Sequence, residues 1–244
     1  MNTLSSLLRY INLLLFGGML TMNYLANALP LNNKTTGQLS DAYPNLFVPA
    51  GITFSIWGII YLLLAAWCVF QFTAKGKTVT AEIGWLFAIS CALNGLWIIA
   101  WHYEKLPLSL LIMIGLLVTL VLINLTIRNL PQGLTKAAFG IYMGWICIAT
   151  IANVTALLVN LNWGAFGLSE VVWTIILIAI GALIVSFAIF RMENPFIGFA
   201  VVWAFAGIIL KRSDDYRQIV LAASIAIIIV ALVTIREFIP VLKK

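Results

Sequence analysis

Charge is what this sequence has least of. Of its 244 residues, 9% are charged and 63% are hydrophobic, against roughly 25% charged in a soluble domain. Such a chain cannot cover itself with polar surface, and it reads as an integral membrane protein. No Lys, Arg, Asp or Glu falls in the central part of any apolar run; Glu170 and the Arg236-Glu237 pair lie at run ends. Charges inside spans mark proton relays, ion pathways and voltage sensors. Their lack argues against an ion-coupled pump and an electrogenic exchanger, and excludes a retinal pigment, which needs a mid-membrane Lys.

Histidine is nearly missing as well. His102 stands alone, and there is no GxSxG, no HExxH and no paired carboxylates. Hydrolytic and metal-dependent chemistry therefore has no residues to run on, and neither an enzyme nor a required cofactor or metal is expected. The three cysteines, Cys68, Cys91 and Cys147, lie in apolar runs without a CxxC or metal spacing, so free buried thiols are expected. The net charge of +6 comes from basic residues scattered over loops and ends. That pattern suits topology determinants and headgroup anchors, with membrane lipid rather than nucleic acid as partner.

What the chain does have is long apolar runs: about 10–29, 50–72, 83–101, 107–127, 137–159, 171–190, 195–210 and 218–239. At roughly 20 residues per crossing they predict an all-α, polytopic transmembrane bundle of about eight helices. The seventh run is short, about 24 Å as a helix, and Lys211 and Arg212 can lengthen it by snorkelling. With a cytoplasmic N-terminus, nine basic residues fall inside and five outside, Lys243 and Lys244 among the former. The positive-inside rule therefore places the N-terminus inside, and gives the same count for seven or eight crossings. Ala26-Asn27-Ala28 resembles a signal-peptidase site, but the run before it is long for a signal peptide, so a retained first helix is expected. Residues 30–48 form the longest polar loop.

The polar residues left inside the runs are Trp, Tyr, Asn, Ser and Thr, and they fall on faces. Thr53, Trp57 and Tyr61 recur at helical spacing after Pro49 in the second run. Ser90, Asn94, Trp97 and Trp101 share an arc of roughly 60° in the third, and Tyr142, Trp145, Ala149 and Asn153 one of roughly 80° in the fifth. Each residue alone could be interhelical glue or part of an interfacial aromatic belt. Three such faces together suit a flat, largely apolar ligand held by a few hydrogen bonds. Gly51 to Trp57 and Gly167 to Trp173 also share a spacing, with Ile-Ile two residues after each Trp; an old duplication would leave this, and an Ile- and Gly-rich chain also produces it by chance.

Pro49 to Tyr61 resembles the start of the second helix of the TspO/MBR family, the tryptophan-rich sensory or translocator proteins. Leu93-Asn94-Gly-Leu-Trp97 is similar to that family's third-helix motif, and Tyr142-Met-Gly-Trp145 with Asn153 to its fifth. The resemblance covers about residues 1–160. It departs from the family at Phe54-Ser55, where Gly-Pro is usual, at the single Pro49, and at Ile141. It implies a five-helix region (1–160); the apolar runs add three further helices (161–244) that the five-helix family lacks, packed on it as a single membrane domain. It also implies a pocket lined by Trp57, Tyr61, Asn94, Trp97, Tyr142, Trp145 and Asn153 under the loop 30–48. The implied ligand is tetrapyrrole- or sterol-like, and the implied role is that of a membrane receptor or sensor, with a homodimer as further partner and the bacterial inner membrane as location. A small-molecule transporter is the alternative reading, and an intramembrane enzyme ranks last.

Overall fold

The computed structural model describes residues 3–29 and 31–239, with side chains from Ser6 onward. Lys243 and Lys244, counted above on the inside, lie outside these residues. The described residues form ten α-helices and no strand: α1 (Thr3–Ala28), α2 (Thr36–Asp41), α3 (Ile56–Phe70), α4 (Ala74–Ile83), α5 (Leu86–His102), α6 (Leu106–Thr126), α7 (Leu134–Asn160), α8 (Glu170–Met192), α9 (Phe196–Arg212) and α10 (Arg217–Phe238). Each of the eight apolar runs is a helix. Five stretches, 51–70, 106–126, 134–160, 170–192 and 217–238, are long and apolar enough to cross a membrane alone. A sixth is added if α4 and α5, bent by 67° at their junction, count as one span. The protein is an all-α, multi-pass membrane bundle.

The two extra helices have local causes. Thr35 and Gln38 close a capping box on α2: the Thr35 hydroxyl accepts from the Gln38 N–H, and the Gln38 side chain accepts from the Thr35 N–H. Thr73 caps α4 by accepting from the Gly76 N–H at 3.1 Å. The start of the second run differs from expectation. Gly51–Ser55 is a 3₁₀ turn, and the α-helix begins at Ile56. The tighter turn breaks the 100° register, so Thr53 packs on Gly207 of α9 while Trp57 and Tyr61 stack on one another.

α7 is the axis of the bundle and packs against α3, α6, α8 and α9. On one side α1, α5 and α6 follow in a row; on the other α9 leads to α10 and α8. Glycines set the close approaches. A Cβ on Gly144 of α7 would strike the Ile197 carbonyl of α9, and one on Gly198 would strike Thr234 of α10. Small residues let helix backbones meet where lipid removes the hydrophobic drive for association. The outer faces carry exposed Leu62, Leu111, Leu183 and Leu232, as a lipid-facing surface requires.

Buried amides tie the helices in the same way. Asn12 donates to Gln71 at 3.1 Å, joining α1 to the end of α3. Asn194 donates to Asn124 at 2.7 Å and to the Lys136 carbonyl at 3.0 Å, joining the α8–α9 turn to α6 and α7. Loops gather at two ends. Lys34–Glu104 (3.0 Å) and Asp41–Lys211 (2.8 Å) join loops at one end, and Arg128–Glu193 (3.1 Å) joins loops at the other.

Candidate ligand-binding site

Indoles from three helices meet near the first of these ends. Trp57 of α3, Trp97 and Trp101 of α5 and Trp145 of α7 surround a cavity of about 50 Å³. Phe54, Ile148, Ala149, Ala152 and Asn153 complete its wall, and Thr36, Ser40 and Pro49 from the loop between α1 and α3 roof it. The rings hold each other in place. Trp57 stacks on Tyr61 (centroids 5.4 Å apart, planes at 19°) and meets Trp145 edge-on (6.2 Å, 82°). Trp97 stacks on Trp101 at 5.8 Å, and Phe54 stands edge-on to Trp145 at 5.8 Å. Such pairs contribute about 0.5–1.5 kcal/mol each beyond their burial.

The polar atoms of this wall are mostly donors. The indole N–H groups of Trp97 and Trp145, the Asn153 amide nitrogen and the Thr36 hydroxyl are buried without a hydrogen-bond partner among the described residues. The Asn153 carbonyl oxygen is occupied, accepting from Ser109 at 3.1 Å. An unsatisfied buried group costs about 1–3 kcal/mol. The cavity is therefore complementary to a small acceptor, whether a water or an oxygen-bearing edge of a ligand. At about 50 Å³ it is far below the roughly 300–1,000 Å³ of pockets that enclose whole drug-sized ligands. A larger ligand must displace the roof.

Of the seven candidates from sequence, Trp57, Trp97, Trp145 and Asn153 line the cavity, while Asn94, Tyr61 and Tyr142 lie behind the wall. Asn94 bridges three helices: its amide donates to the Tyr142 hydroxyl of α7 at 3.0 Å, and its oxygen accepts from Asn23 of α1 at 2.7 Å. Tyr142 is fully buried, edge-on to Trp57 at 6.0 Å. Sequence reasoning left Phe54, Trp101 and Thr36 out of the candidate set. Trp101 was signalled by its place on the Trp97 face. Phe54 stands where the TspO/MBR pattern has Gly-Pro, and its ring takes up space in the wall. Thr36 had no signal, because its position depends on how the loop folds back.

The roof is latched at two points. Glu104 accepts from Lys34 at 3.0 Å and from the Tyr43 hydroxyl at 2.9 Å, and Tyr43 packs on Trp101 at 6.2 Å. The hydrogen bonds from Lys34 and Tyr43 hold the Glu104 carboxyl below its usual value, and burial, then the bond to Glu104 and its charge, push Tyr43 up to about 12. At the second point α9 clamps the loop: Lys211 pairs with Asp41 at 2.8 Å, and Arg212 donates to the Asn45 and Leu46 carbonyls at 2.8 and 3.1 Å. Trp203 adds a bond to the Thr53 carbonyl at 2.8 Å. Cys68, Cys91 and Cys147 are free and buried. Among the described residues no His, Cys, Asp and Glu cluster could hold a metal ion.

A family model described as TSPO-like protein matches residues 9–236. The chain belongs to the TSPO-like family. The match runs through α8, α9 and α10 as well as the first helices, so the family pattern continues beyond the motifs recognised up to residue 160. TSPO-like proteins are not catalytic. No curated protein and no solved structure matches the chain.

Proposed function

We propose that this TSPO-like chain is a membrane receptor or sensor for a hydrophobic, planar, tetrapyrrole- or sterol-like ligand. The ligand binds between α3, α5 and α7 beneath the loop between α1 and α3. The observation that carries this reading is the convergence of Trp57, Trp97, Trp145 and Asn153 on one cavity. Indole faces stack on a planar ring system while the free N–H groups fix its oxygen-bearing edge. Asn94, Tyr61 and Tyr142 hold the wall from behind. The five helices α1, α3, α5, α6 and α7 form the ligand region, and α8, α9 and α10 pack on it as the clamp of its roof. All eight long helices cross the bacterial inner membrane from a cytoplasmic N-terminus; the gathering of alternate loops at the two ends supports this path. The same chemistry serves a transporter if the α9 clamp opens toward both sides, and a homodimer is compatible with either role.

Purified protein titrated with protoporphyrin should show saturable quenching of tryptophan fluorescence. Trp57→Phe combined with Asn153→Leu should weaken the affinity about tenfold or more; unchanged affinity overturns the proposed site. Dependence of proteoliposome flux on Asn153 would favour transport over sensing.

A further inference from the structure

The loop that roofs the first cavity also roofs a second. Pro44 to Phe47 close a cavity of about 120 Å³ beside the last turns of α7 and the start of α8. Trp163 and Trp173 form two of its walls, and Glu170 lies at the rim. The two indoles are 5.0 Å apart with planes at 61°, and Phe166 stands edge-on to Trp163 at 4.9 Å, fixing its tilt. They form a corner with π faces in two directions. Glu170 and Trp173 are three residues apart on α8, on one side of the helix.

Gly51–Ser55 is a 3₁₀ turn that runs directly into α3 and Trp57 of the first cavity, whereas the Ala165–Gly167 turn ends six residues before Trp173 of the second and is followed by extended Leu168, so the shared Gly-to-Trp spacing does not mark equivalent local structure. Both Trp residues sit under the same loop, Trp57 on α3 and Trp173 on α8, beside different stretches of α7. The polar chemistry differs, however. The first cavity offers N–H donors; the second offers a carboxylate. Glu170 makes no ion pair among the described residues. Two cations share the adjoining basin with it: Lys211 pairs with Asp41, and Arg212, whose charge feels Glu170 without pairing with it, donates to the Asn45 and Leu46 carbonyls.

We propose that this second cavity binds the head of a small organic cation, a methylated ammonium group. A cation over the faces of Trp is attracted by the ring quadrupole, and more strongly where water is excluded. The carboxylate at the rim supplies the opposite charge. The cavity of about 120 Å³ has room for several water-sized groups, enough for a compact ammonium head and too little for a whole lipid. Two sources share this chemistry, a free quaternary amine and the choline headgroup of a lipid at the membrane surface.

The test is a titration of the full chain in a maltoside detergent with tetramethylammonium chloride, read by tryptophan fluorescence against sodium chloride at equal ionic strength. The expected result is a saturable change, weakened tenfold or more in Glu170→Gln and lost in Trp173→Leu. Glu170 is exposed, so its isosteric variant folds and decides the matter should Trp173→Leu fail to. In lipid discs, saturation that disappears in phosphatidylcholine and persists in phosphatidylglycerol identifies the headgroup as occupant; saturation in both identifies a free cation. A response linear in tetramethylammonium, or one that Glu170→Gln leaves unchanged, overturns the proposal.

Discussion

Spacing on a helix gives a residue its direction but not its depth. Asn94 and Trp97 share an arc of α5, yet Trp97 lines the cavity and Asn94, one turn further from the roof, bonds to Asn23 and Tyr142. The three tryptophans were legible because each is the bulky member of a polar face on an apolar helix. The division of the asparagines was not, since it depends on which helix lies opposite. A consequence follows for Asn94→Leu. It leaves the Asn23 amide and the Tyr142 hydroxyl with lost partners, so the variant should be less stable by about 1–3 kcal/mol. A ligand-facing Asn without protein partners would tolerate the change. Thermal unfolding in detergent distinguishes the two, and Asn153→Leu, which removes one orphaned donor and a single bond to Ser109, should cost less.

Among elements, the loop between α1 and α3 and the short α9 depart most from what the sequence made visible. The runs themselves were plain, because long apolar segments read the same wherever they pack. The loop looked like a polar tether, but its capping box, its latch to Glu104 and its clamp by α9 make it a folded roof. The capping box is local, but the latch and the clamp join residues 61 to 170 apart in sequence, as Tyr43–Glu104 and Asp41–Lys211 do, and no local pattern announces those. The Glu104 latch carries a pH signature. The Glu104 carboxyl sits below its usual 4.5, so its contribution is present above that value and is lost as pH falls through the lowered one. Tyr43 is raised from 10 to about 12, so its contribution is complete below pH 10 and is lost as pH rises toward 12. The roof should therefore stay latched from about pH 5 to 10 by these two groups. Limited proteolysis within 36–45, followed from pH 7 downward through and below 4.5, should accelerate only on the acid side of 4.5, and Glu104→Gln should remove most of that pH dependence. Acceleration that Glu104→Gln leaves unchanged would contradict the latch.

For the molecule as a whole, α9 decides how the chain threads the bilayer. It has 17 residues, about 25 Å of helix, and it packs between α7 and α10 with glycines at its contacts. If it crosses, a single added cysteine at Gln132 and one at Asp215 react with an impermeant thiol reagent from opposite sides of the membrane. Labelling of both from one side would make α9 a re-entrant segment. The native Cys68, Cys91 and Cys147 are buried and give little background. The same packing links function across the bundle: α9 belongs to the C-terminal helices, yet it clamps the roof of a cavity built by α3, α5 and α7. The TSPO-like match, over 9–236, likewise takes in both sets of helices. The most direct measurement fills the cavity from inside. Ala149 and Ala152 line it, and Ala149→Leu adds three carbons to a space of about 50 Å³ without removing a polar group. In a protoporphyrin titration followed by tryptophan quenching, Ala149→Leu should fold with near-parental thermal stability and lose binding at least tenfold. Full affinity in a folded Ala149→Leu protein would place the ligand elsewhere.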